Sequence, residues 1–192
     1  MLTEQLKEYT EEIHRASEKK MIIALKRIET KEDYVYMLNW LYGFYAPLEE
    51  AIRRQLTTDN FPDIIKRSRA EYILWDIQES GLPGPARNTC EQLPVIDSFY
   101  SALGALYVLE ESTLGGRIIA GMVSRQLDCL KCLSFFNGYG AETGNMWATF
   151  KDYLNQPFTP NQQREIIAAA EDTFLAFKNW IDKHELQPQP QL

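Results

Sequence analysis

The sequence predicts an all-α fold, a single-domain bundle of roughly seven or eight helices, on three observations. Apolar residues recur at helical spacing along almost the whole chain, while the alternation of a half-buried strand is nearly absent. Capping residues and Pro/Gly punctuation fall between those periodic stretches. The 192 residues suffice for one buried core, and 45% apolar against 24% charged residues is ordinary for a globular domain. No internal repeat or domain boundary is evident. The domain is read as residues 1–186, and the tail "QPQPQL" (187–192) as disordered, because it cannot contribute to a packed core.

A first helix follows Thr3 as N-cap and places Leu6, Tyr9, Ile13 and Ala16–Ser17 on one stripe. A second starts near Thr30, with Glu32 and Asp33 in its first turn, where the helix dipole favours acids. It runs through "YVYMLNWLYGFYAPLEEAIRRQL", with a kink or break expected at Pro47. "FPDIIKRSRAEYILWDIQES" reads as a third helix that tolerates Pro62 in its first turn and ends at Gly81. "GLPGPARN" is the clearest loop. A helix from about Leu93 leads into "ALYVLEESTLGGRIIAG" (105–121), and "FFNGYGAETG" is a glycine-rich connection. Helices follow at Asn145–Leu154 and from Thr159–Pro160 to about Lys183.

The formal net charge of −7 argues against nucleic acid and anionic membrane surfaces as partners. The basic pairs, Lys66–Arg67 with Arg69 among them, read as solvated helix faces, with a docking face for an acidic partner as the alternative. The N-terminus is charged throughout and lacks an apolar signal core, and no run approaches the ~20 apolar residues of a membrane span. A cytoplasmic location is expected. Three cysteines suggest no disulfide framework, and the lone C-x-x-C of Cys129 and Cys132 reads as two partly buried cysteines rather than a zinc site.

Few residues could carry chemistry. His14 has Glu18 one turn on and Lys7 two turns back, all on one helix face. A neutral imidazole can coordinate iron through one nitrogen while the other donates to a carboxylate, which fixes its orientation. The alternative is an ordinary histidine on an amphipathic helix. The Gly115–Gly116 pair costs a helix about 1 kcal/mol per residue and so needs a use. It would let a helix backbone press on a flat macrocycle, or else serve close helix packing or a helix break. Glu11 and His14 form one E-x-x-H, but the second motif of a di-iron site is missing, since Ile181 stands three residues before His184. No cysteine has an activating partner that the sequence identifies.

Five segments, in order along nearly the whole chain, resemble the heme oxygenases, and in particular the bacterial biliverdin-producing branch. "EEIHRASEKK" is similar to the family's proximal helix and "WLYGFYAPLEEAI" to its L-Y-x-x-Y-x-x-L-E-E-x-I helix. "YVLEESTLGGRIIAG" resembles the distal helix, "FFNGYGAETGNMWATF" the glycine-and-tryptophan connection and "FTPNQQREIIAAAEDTF" the last long helix. The resemblance implies an O2-dependent oxidoreductase for which heme is both substrate and cofactor and O2 the co-substrate. The products would be biliverdin, CO and ferrous iron. Electrons would come from a ferredoxin, flavodoxin or NAD(P)H-dependent reductase, in the service of iron acquisition or bilin supply. A non-enzymatic heme-binding or heme-sensing protein on the same fold is the alternative. A C-terminal membrane anchor like that of the animal enzymes is not expected.

Residue by residue, the resemblance implies His14 as axial ligand of the heme iron, Glu18 as its carboxylate partner and Lys7 as a propionate contact. It also implies Gly115 and Gly116 on the distal helix, Tyr45 in the distal water network and Phe174 beside the heme. Ser112 stands where many members have an aspartate that orders water. Lys151 is the nearest cation to an expected propionate arginine around Phe150, and Tyr107 lies one residue from a propionate-contacting tyrosine of some members. Glu111 replaces a glycine that normally lies against heme. It turns away at a helix bend, or acts as a distal acid or iron ligand, or fills a pocket that no longer binds heme. The first is expected, because the other family features remain and a carboxylate against a porphyrin face is costly.

Overall fold

The computed structural model describes residues 1–84, 88–127 and 130–185. The tail 187–192, expected to be disordered, the middle of the "GLPGPARN" loop and Cys129 lie outside them. The described residues form six α-helices and no strand: α1 (Leu2–Lys26), α2 (Lys31–Gln55), α3 (Ala70–Glu79), α4 (Phe99–Gln126), α5 (Thr143–Leu154) and α6 (Pro160–Glu185). Short 3-10 turns at Ile64–Arg67, Leu130–Cys132 and Gly140–Glu142 join them. The all-α expectation holds, with six α-helices where seven or eight were counted.

Helix α4 is the central element. All ten residues from Ser101 to Glu110 are buried, as befits a helix surrounded by others, and beyond Glu110 the pattern becomes one-sided. Its N-terminus is capped by Ser98, whose hydroxyl accepts from Ser101 N–H at 3.0 Å. The helix therefore begins at Phe99 rather than near Leu93. Its most extensive neighbour is α6, which also packs along α1. Helix α1 starts at Leu2, before the expected Thr3 cap, and buries Leu2, Leu6, Thr10, Ser17, Met21 and Leu25; Tyr9 is exposed. Helix α2 begins at the expected Thr30 cap, where Asp33 N–H donates to the threonine hydroxyl at 3.1 Å.

Pro47 does not break α2, which continues to Gln55. A proline removes the N–H that would bond the carbonyl four residues back, here that of Gly43. Cys90 N–H takes that place at 2.8 Å. Gly43 makes this approach feasible, since a Cβ there would lie 2.0 Å from Asn88 O. Glycine and proline together dock the segment leading into α4 onto α2.

The predicted third helix is split. Residues 64–67 form a 3-10 turn and α3 starts only at Ala70. The physical reason is Glu49 of α2, whose carboxylate accepts from the N–H of Arg69 at 2.6 Å and of Ala70 at 2.9 Å. It caps α3 from outside and fixes where the helix can begin. The basic cluster just before it is not a solvated face. Arg67 and Arg69 are each 2% exposed. Arg67 donates to Glu110 at 2.6 Å and Asp63 at 2.7 Å. Arg69 donates to the carbonyls of Gly138, at 3.0 Å, and Phe135. Asp76 accepts from the N–H groups of Ser134 and Phe135, both at 2.8 Å. Helix α3 thereby holds the glycine-rich connection against the back of α4. Cys132 is fully buried. No helix among the described residues is long and apolar enough to cross a membrane.

Candidate functional site

On the opposite side of α4 a cavity of about 290 Å³ opens between α1 and α4, with α2 and α6 behind it. Val108, Glu111, Ser112, Gly115, Ile118, Ile119 and Met122 line it from α4, at the spacing that puts residues three and four apart on one helix face. His14, Glu18, Met21 and Ile22 line it from α1, Phe44 and Tyr45 from α2, and Phe174 and Phe177 from α6. Apolar side chains predominate. Ile118 is 71% and Leu114 45% exposed at the cavity wall, apolar surface that a flat ligand would cover.

His14 is half-buried, and its ring is stacked on Phe174 with centroids 5.1 Å apart and planes 22° apart. Phe174 is itself buried, so the imidazole has a fixed backing while one side remains open to the cavity. Glu18 lines the same cavity, but the carboxylate against the imidazole is that of Glu111, whose Oε2 lies 3.6 Å from His14 Nδ1. That is an electrostatic contact and too long for a hydrogen bond. The same oxygen is buried and has no hydrogen-bond partner.

Glu111 does not turn away. Helix α4 is continuous through it, so it stays on the cavity face, and the expected bend is corrected. Burial pushes its carboxyl above the usual range, opposed chiefly by the charge of His14 and then by a hydrogen bond with Tyr107. Tyr107 is fully buried near Thr10, whose hydroxyl gives its single hydrogen to Leu6 O at 2.7 Å. Burial and the adjacent carboxylate push the Tyr107 phenol up, so it remains a donor. Tyr107 thus stands beside Glu111 and is not among the residues that line the cavity.

The two glycines face different ways. A Cβ at Gly115 would meet nothing within 4 Å, so this residue leaves the cavity wall open at the backbone. A Cβ at Gly116 would lie 2.1 Å from Phe136 O. Gly116 is a packing residue for the connection behind α4, which corrects the expectation that it touches a heme. Ser112 and Tyr45 do come together: their oxygens are 3.1 Å apart. Ser112 donates its single hydrogen to Leu109 O at 2.6 Å, so the Tyr45 phenol is the donor to Ser112. Towards the cavity Ser112 is left as an acceptor.

Lys7 and Lys151 do not line the cavity, and no lysine or arginine is among its lining residues. Lys7 is exposed but close enough for its charge to favour the ionised form of Glu111. Lys151 is half-buried on α5, and its neighbour Phe150 is fully buried under the Arg67 guanidinium, 5.4 Å from the ring centroid. Glu110 points to the other side of α4, where Arg67 and the Tyr139 hydroxyl (2.5 Å) satisfy it. The Arg67–Glu110 pair was not found from sequence because its members are 43 positions apart. His184 is buried against Trp180, with ring centroids 4.3 Å apart, and Trp40, at 5.9 Å, far from any E-x-x-H role. Among the described residues no group of three or more His, Cys, Asp or Glu is arranged to hold a metal ion directly.

An imidazole on one wall, a bare glycine on the other and apolar side chains around them fit a flat apolar macrocycle with a central metal. Glu111 is the one residue that does not fit it in this arrangement. The family model described as heme oxygenase matches residues 1–71 and 87–183. Among solved structures, the NO- and CO-bound heme oxygenase from Neisseria meningitidis superposes with a TM-score of 0.77 at 18% identity, covering 100% of this chain and 95% of that one. The heme oxygenase from Leptospira interrogans does so with a TM-score of 0.72 at 20% identity, covering 95% and 98%. No curated protein matches the sequence.

Proposed function

Because this chain belongs to the heme oxygenase family, we propose that it binds heme through His14 and opens it to biliverdin, with O2 as co-substrate and electrons from a ferredoxin, flavodoxin or NAD(P)H-dependent reductase. The observation that carries the reading is His14 facing the bare backbone of Gly115 across an apolar cavity. Heme, when bound, supplies the iron at which O2 is reduced and the ring that is opened.

The protein's own residues supply ligation, orientation and control of water. A neutral His14 offers a nitrogen lone pair, and Phe174 restrains the ring's tilt. Leu109, Ile119 and Met122 exclude bulk solvent from the cavity. Ser112, its hydrogen already given to Leu109 O, can only accept from a water placed beside it, and Tyr45 holds it in that role. Neither hydroxyl is a strong acid, so the α4 side can order water without delivering a proton on its own. Lys7 would be the cation for a heme carboxylate, a reading supported by its exposed position outside the cavity lining. A purely heme-binding protein is the second reading, favoured by one observation, the Glu111 carboxylate beside the imidazole.

The test is a heme titration followed by reduction. Heme should give a Soret band typical of histidine ligation, which His14→Ala abolishes or shifts. Reductant should then bleach the band as biliverdin and CO appear. Stable heme without CO would leave the binding reading only, and no heme uptake would refute both.

A further inference from the structure

We propose that the outer face of α3, with the 3-10 turn before it, is the surface by which two copies of this chain pair about a two-fold axis. This face is separate from the heme cavity, since none of the residues that line its groove lines the cavity.

The face has the make-up of a contact surface. Ile65, Lys66, Ser68, Glu71, Tyr72 and Trp75 line a groove of about 420 Å³. Ile65 is 69%, Trp75 60% and Tyr72 44% exposed, and large apolar side chains left together on a surface mark an interaction site. Trp75 stands one helical turn from both Glu71 and Tyr72, so the three share one side of α3. The groove walls are already ordered. Tyr72 lies against the buried Arg69 guanidinium, 4.8 Å from the ring centroid, and Arg69 is fixed by the carbonyls of Gly138 and Phe135. The Ser68 hydroxyl is held between Arg53 and Glu49. Pairing here freezes few side chains, which lowers its entropic cost.

Shape and charge select a second copy as the occupant. The patch carries both a largely exposed indole and a groove beside it, and an isologous contact sets each against its counterpart. Lys66 and Glu71 are both exposed, and neither side chain has an ion-pair or hydrogen-bond partner among the described residues. A partner of a single charge sign would meet one of them with like charge. A second copy, turned about the two-fold, brings each Lys66 to the other copy's Glu71.

The experiment is sedimentation equilibrium of the purified full chain, without heme, from micromolar to millimolar concentration. The wild type should pass reversibly from 22.3 kDa to twice that mass. Trp75→Ala should weaken the association at least about thirtyfold, as loss of a central aromatic anchor does. Lys66→Glu and Glu71→Lys should each weaken it about tenfold or more, because each sets like charges against one another at two places. An equimolar mixture of these two variants should associate as the wild type does, since both contacts then join opposite charges. A wild type that stays monomeric throughout overturns the proposal and leaves the groove to a different occupant. A dimer that tolerates Trp75→Ala or both charge reversals also overturns it, as does a mixture that fails to recover. Should Trp75→Ala fail to fold, as circular dichroism would show, the charge variants and their mixture decide. Heme enters none of these outcomes, so this proposal and the heme reading stand or fall separately.

Discussion

Replacing each member of the glycine pair by alanine should have opposite consequences, although the two residues are adjacent in the same helix. At Gly116 the new Cβ would sit 2.1 Å from Phe136 O, a backbone atom. Either α4 or the connection must retreat by about 1 Å in a region packed as densely as a crystal. That connection is held by Arg69 and Asp76 through four hydrogen bonds, so it cannot yield locally. Overpacking of this kind costs about 1–3 kcal/mol and more where backbone must move, against a helix-propensity gain of about 1 kcal/mol. A net loss of about 2 kcal/mol follows, or roughly 4–8 °C in Tm for a chain of this size. At Gly115 nothing is displaced, so the propensity gain of up to about 1 kcal/mol stands alone and Tm should rise by about 2–4 °C. The added methyl would, however, project into the cavity and weaken heme binding. Thermal melts of the ligand-free protein, paired with heme titrations, read both effects. Gly116→Ala as stable as the wild type, or Gly115→Ala less stable, would refute the assignment of the two faces.

Two further outcomes follow from buried groups away from the cavity. His184 has its pKa depressed from 6.5 to about 4, because burial among aromatic rings leaves its charged form without solvation and neither nitrogen has a hydrogen-bond partner among the described residues. The unfolded chain therefore takes up the proton first: the stabilisation is present above pH 6.5 and is lost as the pH falls towards 4. A loss of about 2–3 kcal/mol across that window is expected, and His184→Leu should flatten it in denaturant titrations at successive pH values. Glu110→Ala leaves the Arg67 guanidinium buried with Asp63 as its remaining carboxylate partner. It should destabilise by about 3 kcal/mol, and an unchanged denaturation midpoint would show that the pair is dispensable.

The helical class, the Thr30 cap of α2, the start of α6 and the candidate ligand His14 were all legible in the sequence, for a common reason. Each is carried by neighbours within a few positions: a 3.6-residue period, a cap three residues from its partner, a histidine and acids on one helix face. Misreadings arose where a distant residue overrode the local pattern. The 61–80 segment has a continuous helical pattern, yet Glu49 of α2 caps it at Ala70. Lys66, Arg67 and Arg69 look like a solvated face, but Glu110, Asp63 and the carbonyls of Phe135 and Gly138 draw both arginines into the core. Pro47 looks like a break, but Cys90 supplies the donor for the carbonyl it frees.

The same division applies to the site. By itself the sequence determined an all-α chain whose α1 carries a histidine and whose α4 carries a glycine pair, because helix formation and the facing of side chains are local. Only the tertiary structure decided which glycine looks into the cavity and which into a backbone carbonyl, because one residue along a helix is a rotation of about 100°. Only it decided, too, that the Glu111 carboxylate is held against His14 rather than turned to solvent. That choice depends on α1 and α6 packing against α4, which brings His14, backed by Phe174, to Glu111 from a distant part of the chain.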